Sequence, residues 1–119
     1  MQKAKLTLKT QPQHQTIIHL SDRVTVGGKD LLIVGGPCAV ESAAQMAAVA
    51  SRLALAPVQA LRGGVYKPRT SPYDFQGLGL EGLKILAAVR QRSGMPVITE
   101  VMAISQIAEI AAYADVLQV

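Results

Sequence analysis

The rhythm of apolar and polar positions changes near residue 31. Before it, apolar residues alternate in short runs. Leu6 and Leu8 alternate with Lys5, Thr7 and Lys9, as on a half-buried strand. Thr16 to Leu20 and Arg23 to Val26 read as two more short strands, with Ser21-Asp22 as the turn and Gly27-Gly28 ending the pattern. Residues 1–30 are therefore expected to form a β-hairpin extension. After it, continuous apolar runs alternate with helical periods. Leu31-Leu32-Ile33-Val34 has the mark of a strand buried on both faces. A helix is expected from Ser42 to Ala54, with Met46, Val49, Ala50 and Leu53 on one face. Pro57 ends it, and Val58 to Leu61 is a second strand. Leu80 to Arg92 forms the next helix, stopped by Gly94, and Pro96 to Glu100 is the third strand. Ser105 is expected to cap a helix over Gln106 to Tyr113, and Asp115 to Val119 begins a fourth strand.

Such alternation builds a parallel sheet with right-handed crossovers. A doubly wound open sheet and part of an eight-fold β/α barrel both fit it. A whole barrel needs roughly 200–250 residues, whereas this chain has 119. It also stops inside an apolar strand, so residues 31–119 are expected to be the first half of such a barrel. The strands of Leu31 to Val34 and Val116 to Val119 would then be sheet edges, which template pairing when apolar and uncovered.

Composition narrows the class. Half of the residues are apolar, which excludes a disordered chain. The net charge is +4 and the pI near 9.5, which favours anionic partners. Aromatics make up only 3% and no run of like charge occurs, so base stacking and a nucleic-acid arm are not expected. The single Cys excludes an internal disulfide and fits a reducing compartment. No apolar span is long enough for a membrane, and the N-terminal residues do not read as an apolar signal region, so a cytoplasmic protein is expected.

The candidate chemistry concentrates after the strands. Arg62-Gly63-Gly64-Val65-Tyr66-Lys67-Pro68-Arg69-Thr70-Ser71-Pro72-Tyr73 opens a long loop between the second strand and the second helix. Its glycines let a ligand come close, its prolines stiffen it, and Arg62, Lys67 and Arg69 suit a phosphorylated ligand. Both architectures gather ligands at the carboxyl ends of the strands. Cys38 leaves strand one there, Glu100 ends strand three and Gln118 lies in strand four. Cys38 could bind a divalent metal, act as a nucleophile, or be a small buried hydrophobe. Glu100 is costly at the end of an apolar strand unless partnered. Glu41 reads as a charge near a helix N-terminus. His14 and His19 are assigned no role.

These residues carry a family resemblance. Gly36-Pro37-Cys38-Ala39-Val40-Glu41-Ser42, Arg62-Gly63-Gly64, Lys67 to Tyr73, Phe75-Gln76-Gly77-Leu78-Gly79, Val97-Ile98-Thr99-Glu100 and Ala114 to Val119 closely resemble 3-deoxy-D-arabino-heptulosonate-7-phosphate (DAHP) synthase of the first class, short microbial subgroup. The resemblance implies the N-terminal part of a TIM (β/α)8 barrel, about three β/α units and a fourth strand. It implies a metal-dependent condensation of phosphoenolpyruvate with erythrose 4-phosphate, the first step toward aromatic amino acids. Cys38 then matches one of four metal ligands for an ion of the Mn, Fe, Co or Zn class. Arg62 and Lys67 match contacts to phosphoenolpyruvate, with Lys67 in the catalytic role. Lys67, Pro68, Arg69 and Thr70 match the erythrose 4-phosphate site, Arg69 holding its phosphate. Glu100 and Gln118 join the substrate-binding set. The partners implied are small phosphorylated substrates and a second copy of the enzyme, with neither nucleic acid nor membrane. The family's Gly-Ala-Arg-Asn segment and its other three metal ligands have no counterpart here, so this chain alone is expected to be inactive. The related 3-deoxy-D-manno-octulosonate 8-phosphate synthases share the Gly-Pro-Cys turn, but typically read Lys-Ala-Asn-Arg-Ser where this chain has Lys67-Pro68-Arg69-Thr70-Ser71. A non-catalytic half-barrel that binds anions or pairs with a second polypeptide is the alternative outside enzymes.

Overall fold

The computed structural model describes residues 7–68 and 70–119. Two short strands, β1 (Ile18–His19) and β2 (Thr25–Val26), pair antiparallel with Ile18 opposite Val26. Their turn is closed by Ser21, whose Oγ accepts from the backbone N–H of Arg23 and Val24. The hairpin expected here therefore forms. Part of the expected Leu6–Leu8 strand lies outside the described residues, and Leu8 itself is exposed and in no strand.

The remaining elements alternate. They are β3 (Val34–Gly35), α1 (Ala43–Leu53), β4 (Ala60–Arg62), α2 (Leu80–Ser93), β5 (Val97–Glu100), a 3-10 turn (Ile104–Gln106) running into α3 (Ile107–Ala111), and β6 (Val116–Gln118). The sheet is parallel throughout, in the order β3-β4-β5-β6. Strand order thus follows chain order without reversing. A doubly wound sheet reverses at a switch point; a sheet that only adds strands in one direction, with right-handed crossovers, keeps its helices on one face. That is the construction of a β/α barrel, and three β/α units and a fourth strand of it are present.

The sheet alternates faces with a period of two. Leu61, Val97 and Leu117 point toward the helices and join Met46, Leu83, Leu86 and Ile110 in one core. The opposite parity puts Arg62 level with Ile98 and Glu100 level with Gln118 on the other face. Fully burying one Leu or Met side chain of this core is worth about 1.5–3 kcal/mol, which makes the helix layer the main source of stability.

Helix α1 starts at Ser42, whose Oγ accepts from Gln45 N–H at 3.0 Å, while Gln45 Oε1 accepts from Glu41 N–H at 2.9 Å. Glu41 stands immediately before the cap and is exposed, at the helix N-terminus where its charge was expected. Gly94 ends α2 with φ 71°, a conformation suited to glycine. Two expectations need correction. Leu31–Val34 is not a strand buried on both faces: only Val34 and Gly35 pair, Leu31 is 81% exposed and Val34 41%. β3 is a sheet edge, so one side of this run has no strand to cover it among the described residues. Ser105 does not cap α3 but lies within the 3-10 turn; Gln106 reaches back instead, its Oε1 accepting from the N–H groups of Met102 and Ala103.

Candidate anion-binding site at the carboxyl end of the sheet

The site grows from two turns laid side by side. The turn after β3 and the loop after β4 exchange backbone hydrogen bonds: Val40 N–H donates to Gly64 O at 2.9 Å and Gly64 N–H to Cys38 O at 3.2 Å. Gly36, with φ 144°, approaches so closely that a Cβ would lie 1.8 Å from Arg62 O. A Cβ on Gly64 would lie 2.7 Å from Cys38 O and 2.9 Å from Lys67 Nζ. Glycine is required at both places for the backbones and the lysine to approach this closely. The long loop is pinned at its base, Lys67 N–H donating to Gln76 O and Gly79 N–H to Val65 O, both at 2.9 Å.

Onto this frame the side chains converge. Arg62 extends from the end of β4 across β5. Its Nη1 donates to Pro37 O and Cys38 O, each at 3.1 Å, its Nε donates to Gln118 Oε1 at 3.2 Å, and its Nη2 pairs with Glu100 Oε1. Lys67 Nζ donates to the same Glu100 oxygen at 2.8 Å and to Cys38 O at 3.0 Å. The Lys67 side chain is only 4% exposed, so this is a buried cation, stabilised by a carboxylate and a carbonyl. Cys38 is exposed rather than a small buried hydrophobe. Hydrogen bonding and charge from Lys67, then Arg62, hold its thiol below the usual range.

Arg62, Lys67, Glu100, Gln118 and the Cys38 turn are thus brought together. Pro68 and Thr70 lie exposed beyond Lys67, and Arg69 lies outside the described residues. Sequence reasoning missed several features in and around the site. The carbonyls of Pro37 and Cys38 carry no side-chain signal at all. Tyr66 Oη donates to Glu109 Oε2 at 3.0 Å, tying the loop to α3. Burial, then Glu109, pushes the Tyr66 phenol up. Thr99 is fully buried facing the helices, and its Oγ1 has no hydrogen-bond partner among the described residues.

The donors present do not fit a divalent ion. Cys38 offers one sulfur, and among the described residues no three His, Cys, Asp or Glu side chains come together. What the arrangement can do is hold an anion: two fixed cations at the mouth of a parallel sheet, shielded from bulk water on the Lys67 side.

A parallel sheet whose strands follow chain order, with cations clustered at its carboxyl end, defines the α/β class of β/α-barrel proteins. The DAHP synthetase I family model matches residues 10–119, and the chain belongs to that family. It is 41% identical over 97% of its length to phospho-2-dehydro-3-deoxyheptonate aldolase of Thermotoga maritima. It is 36% identical over 81% of its length to 2-dehydro-3-deoxyphosphooctonate aldolase of Syntrophotalea carbinolica. The crystal structure of the Thermotoga maritima DAHP synthase superposes with a TM-score of 0.78 at 39% identity, over 87% of this chain and 29% of that one. A truncated form of the Thermotoga maritima enzyme superposes with a TM-score of 0.74, over 36% of its length. The chain spans 34% of the Thermotoga relative and 38% of the Syntrophotalea one. No helix among the described residues is long and apolar enough to cross a membrane.

Proposed function

We propose that this chain supplies the phosphoenolpyruvate-binding portion of a 3-deoxy-7-phosphoheptulonate synthase, which joins phosphoenolpyruvate, erythrose 4-phosphate and water into DAHP and phosphate. The observation that carries the reading is the meeting of Arg62 and Lys67 beside the Cys38 turn. Two substrates of this kind bring several negative charges into one site, and fixed cations in a partly desolvated pocket offset their repulsion. Arg62 and Lys67 hold and orient phosphoenolpyruvate, Lys67 as the catalytic cation. Pro68, Arg69 and Thr70 line the second sugar phosphate. Glu100 and Gln118 complete the wall. In a complete enzyme of this kind a divalent ion would serve as a Lewis acid for the aldehyde oxygen, and Cys38 is the residue of this chain that would contribute a ligand to it. A cytoplasmic location is part of this reading, because a lone cysteine fits a reducing compartment.

With one candidate ligand for the ion, the 119-residue chain is expected to bind phosphoenolpyruvate without turning it over. Isothermal titration of the chain with phosphoenolpyruvate, beside an assay for phosphate release with erythrose 4-phosphate and Mn²⁺, tests both parts. Absence of saturable, Lys67-dependent binding would refute the site. Release that needs both substrates and the metal would refute the inactivity. The octulosonate relatives keep the alternative alive at the level of the second substrate, and the Lys67-Pro68-Arg69-Thr70 segment is what favours erythrose 4-phosphate.

A further inference from the structure

The donors of the cation cluster are almost all engaged before any ligand arrives. Arg62 has five N–H groups and Lys67 three. Arg62 places four, on Gln118, Pro37, Cys38 and Glu100. Lys67 places two, on Cys38 and Glu100. A guanidinium grips an anion through two parallel N–H groups on one edge. Each forked edge of Arg62 pairs one Nη2 N–H with an N–H of Nε or Nη1, and Nε is on Gln118, Nη1 on two carbonyls and Nη2 on Glu100. No edge offers both of its N–H groups to a ligand, and the bond to Glu100 is the one made to a charged group.

The partners differ in how easily they leave. The carbonyls of Pro37 and Cys38 belong to a turn fixed by backbone hydrogen bonds. Glu100 is a side chain at the last residue of β5, 13% exposed, and a single carboxylate oxygen serves both cations. Rotated outward, it returns to water and releases one donor on Arg62 and one on Lys67 together. Those two donors point at the place the Glu100 oxygen vacates.

We propose that Glu100 is a built-in competitor for the ligand: its carboxylate occupies the anion position between Arg62 and Lys67, and a phosphate or carboxylate ligand binds by displacing it. This rests on the anion-site reading above. The arrangement keeps two cations from facing each other unscreened in the empty site. It also sets a threshold. An anion of single charge gains no more from the two cations than Glu100 already does, whereas a multiply charged phosphate gains more. Glu100 therefore makes the site selective for multiply charged anions.

The test is titration of the chain with inorganic phosphate, phosphoenolpyruvate and acetate, comparing it with Glu100→Gln, Glu100→Asp and Lys67→Met. Glu100→Gln is expected to bind phosphate about tenfold more tightly, and to bind acetate measurably, so that selectivity between the two falls. Glu100→Asp keeps the charge and is expected to stay near the unaltered chain. Weaker or unchanged phosphate binding in Glu100→Gln, with Lys67 dependence intact, overturns the proposal and makes Glu100 a positioning residue instead, leaving the anion site standing. Failure of the unaltered chain and Glu100→Gln alike to bind any of the three anions overturns the site as well. Should Glu100→Gln not fold, carbon-13 NMR of the unaltered chain with labelled glutamate decides: the Glu100 carboxylate signal moves on saturation with phosphate, and an unmoved signal overturns the displacement.

Discussion

Two carboxylates sit at opposite ends of the same parallel sheet with almost equal exposure, Glu100 at 13% and Asp115 at 12%. Asp115, at the amino end, accepts from the backbone N–H of Val97 at 2.8 Å and from Arg90 at 2.5 Å. Arg90 is half exposed, and the two border a cleft of about 440 Å³ with Ser21 of the hairpin. Glu100 accepts no backbone hydrogen bond among the described residues, and both its partners there are mostly buried cations. Burial alone therefore does not tell a staple from a site. What separates them is the partner: a backbone amide that never leaves, against two charges that a ligand can also satisfy. Surface pairs such as Arg90–Asp115 contribute about 0–1 kcal/mol, whereas uncompensated buried cations are costly.

The largest expected effect breaks the carboxyl-end cluster. Lys67→Met removes a charge-assisted donor worth about 1.5–3 kcal/mol to a bound anion, and phosphoenolpyruvate affinity is expected to fall about 10- to 100-fold. Titration calorimetry reads it, and a loss below about threefold would mean that Lys67 does not touch the ligand.

A middling effect is expected at the amino end, and of a different kind. Asp115→Ala leaves Val97 N–H without its acceptor and is expected to lower stability by about 1–2 kcal/mol in urea unfolding. Asp115→Asn keeps an acceptor and loses only the exposed pair, about 0.2–1 kcal/mol. Neither should change anion affinity. A change comparable to that of Lys67→Met would erase the distinction between the two ends.

The smallest effect sharpens the reach of the cations. Lys67 and Arg62 depress the Cys38 pKa, so the folded chain holds a thiolate at a pH where the unfolded chain's thiol is still protonated. Between the two pKa values the unfolded state binds more protons, so this contribution to stability rises with pH and is lost as pH falls through the folded value. Alkylation by iodoacetamide against pH should show a midpoint below the ordinary thiol value of 9.0, moving upward in Lys67→Met. A midpoint at or above the ordinary value would show that the cation field does not reach the sulfur.

The sequence by itself determined the elements and their faces. Ser42 and Gly94 mark helix ends because capping and left-handed backbone are properties of one residue and its near neighbours. Arg62, Glu100 and Gln118 share a face because side chains alternate along every strand. Local signals also erred where a neighbour was needed. Leu31 to Val34 has the composition of a strand buried on both faces, yet at the edge expected for it only Val34 of the run pairs, and Ser105 has the chemistry of a cap that Gln106 fulfils instead. Only the tertiary structure decided who holds the cations. The carbonyls of Pro37 and Cys38, 25 and 24 residues from Arg62, have no composition to betray them, and the sequence placed Gln118 at the site without showing that its amide accepts from Arg62, 56 residues away. A hydrogen bond acts over about 3 Å, so its partners exist only once the chain has brought distant turns into contact.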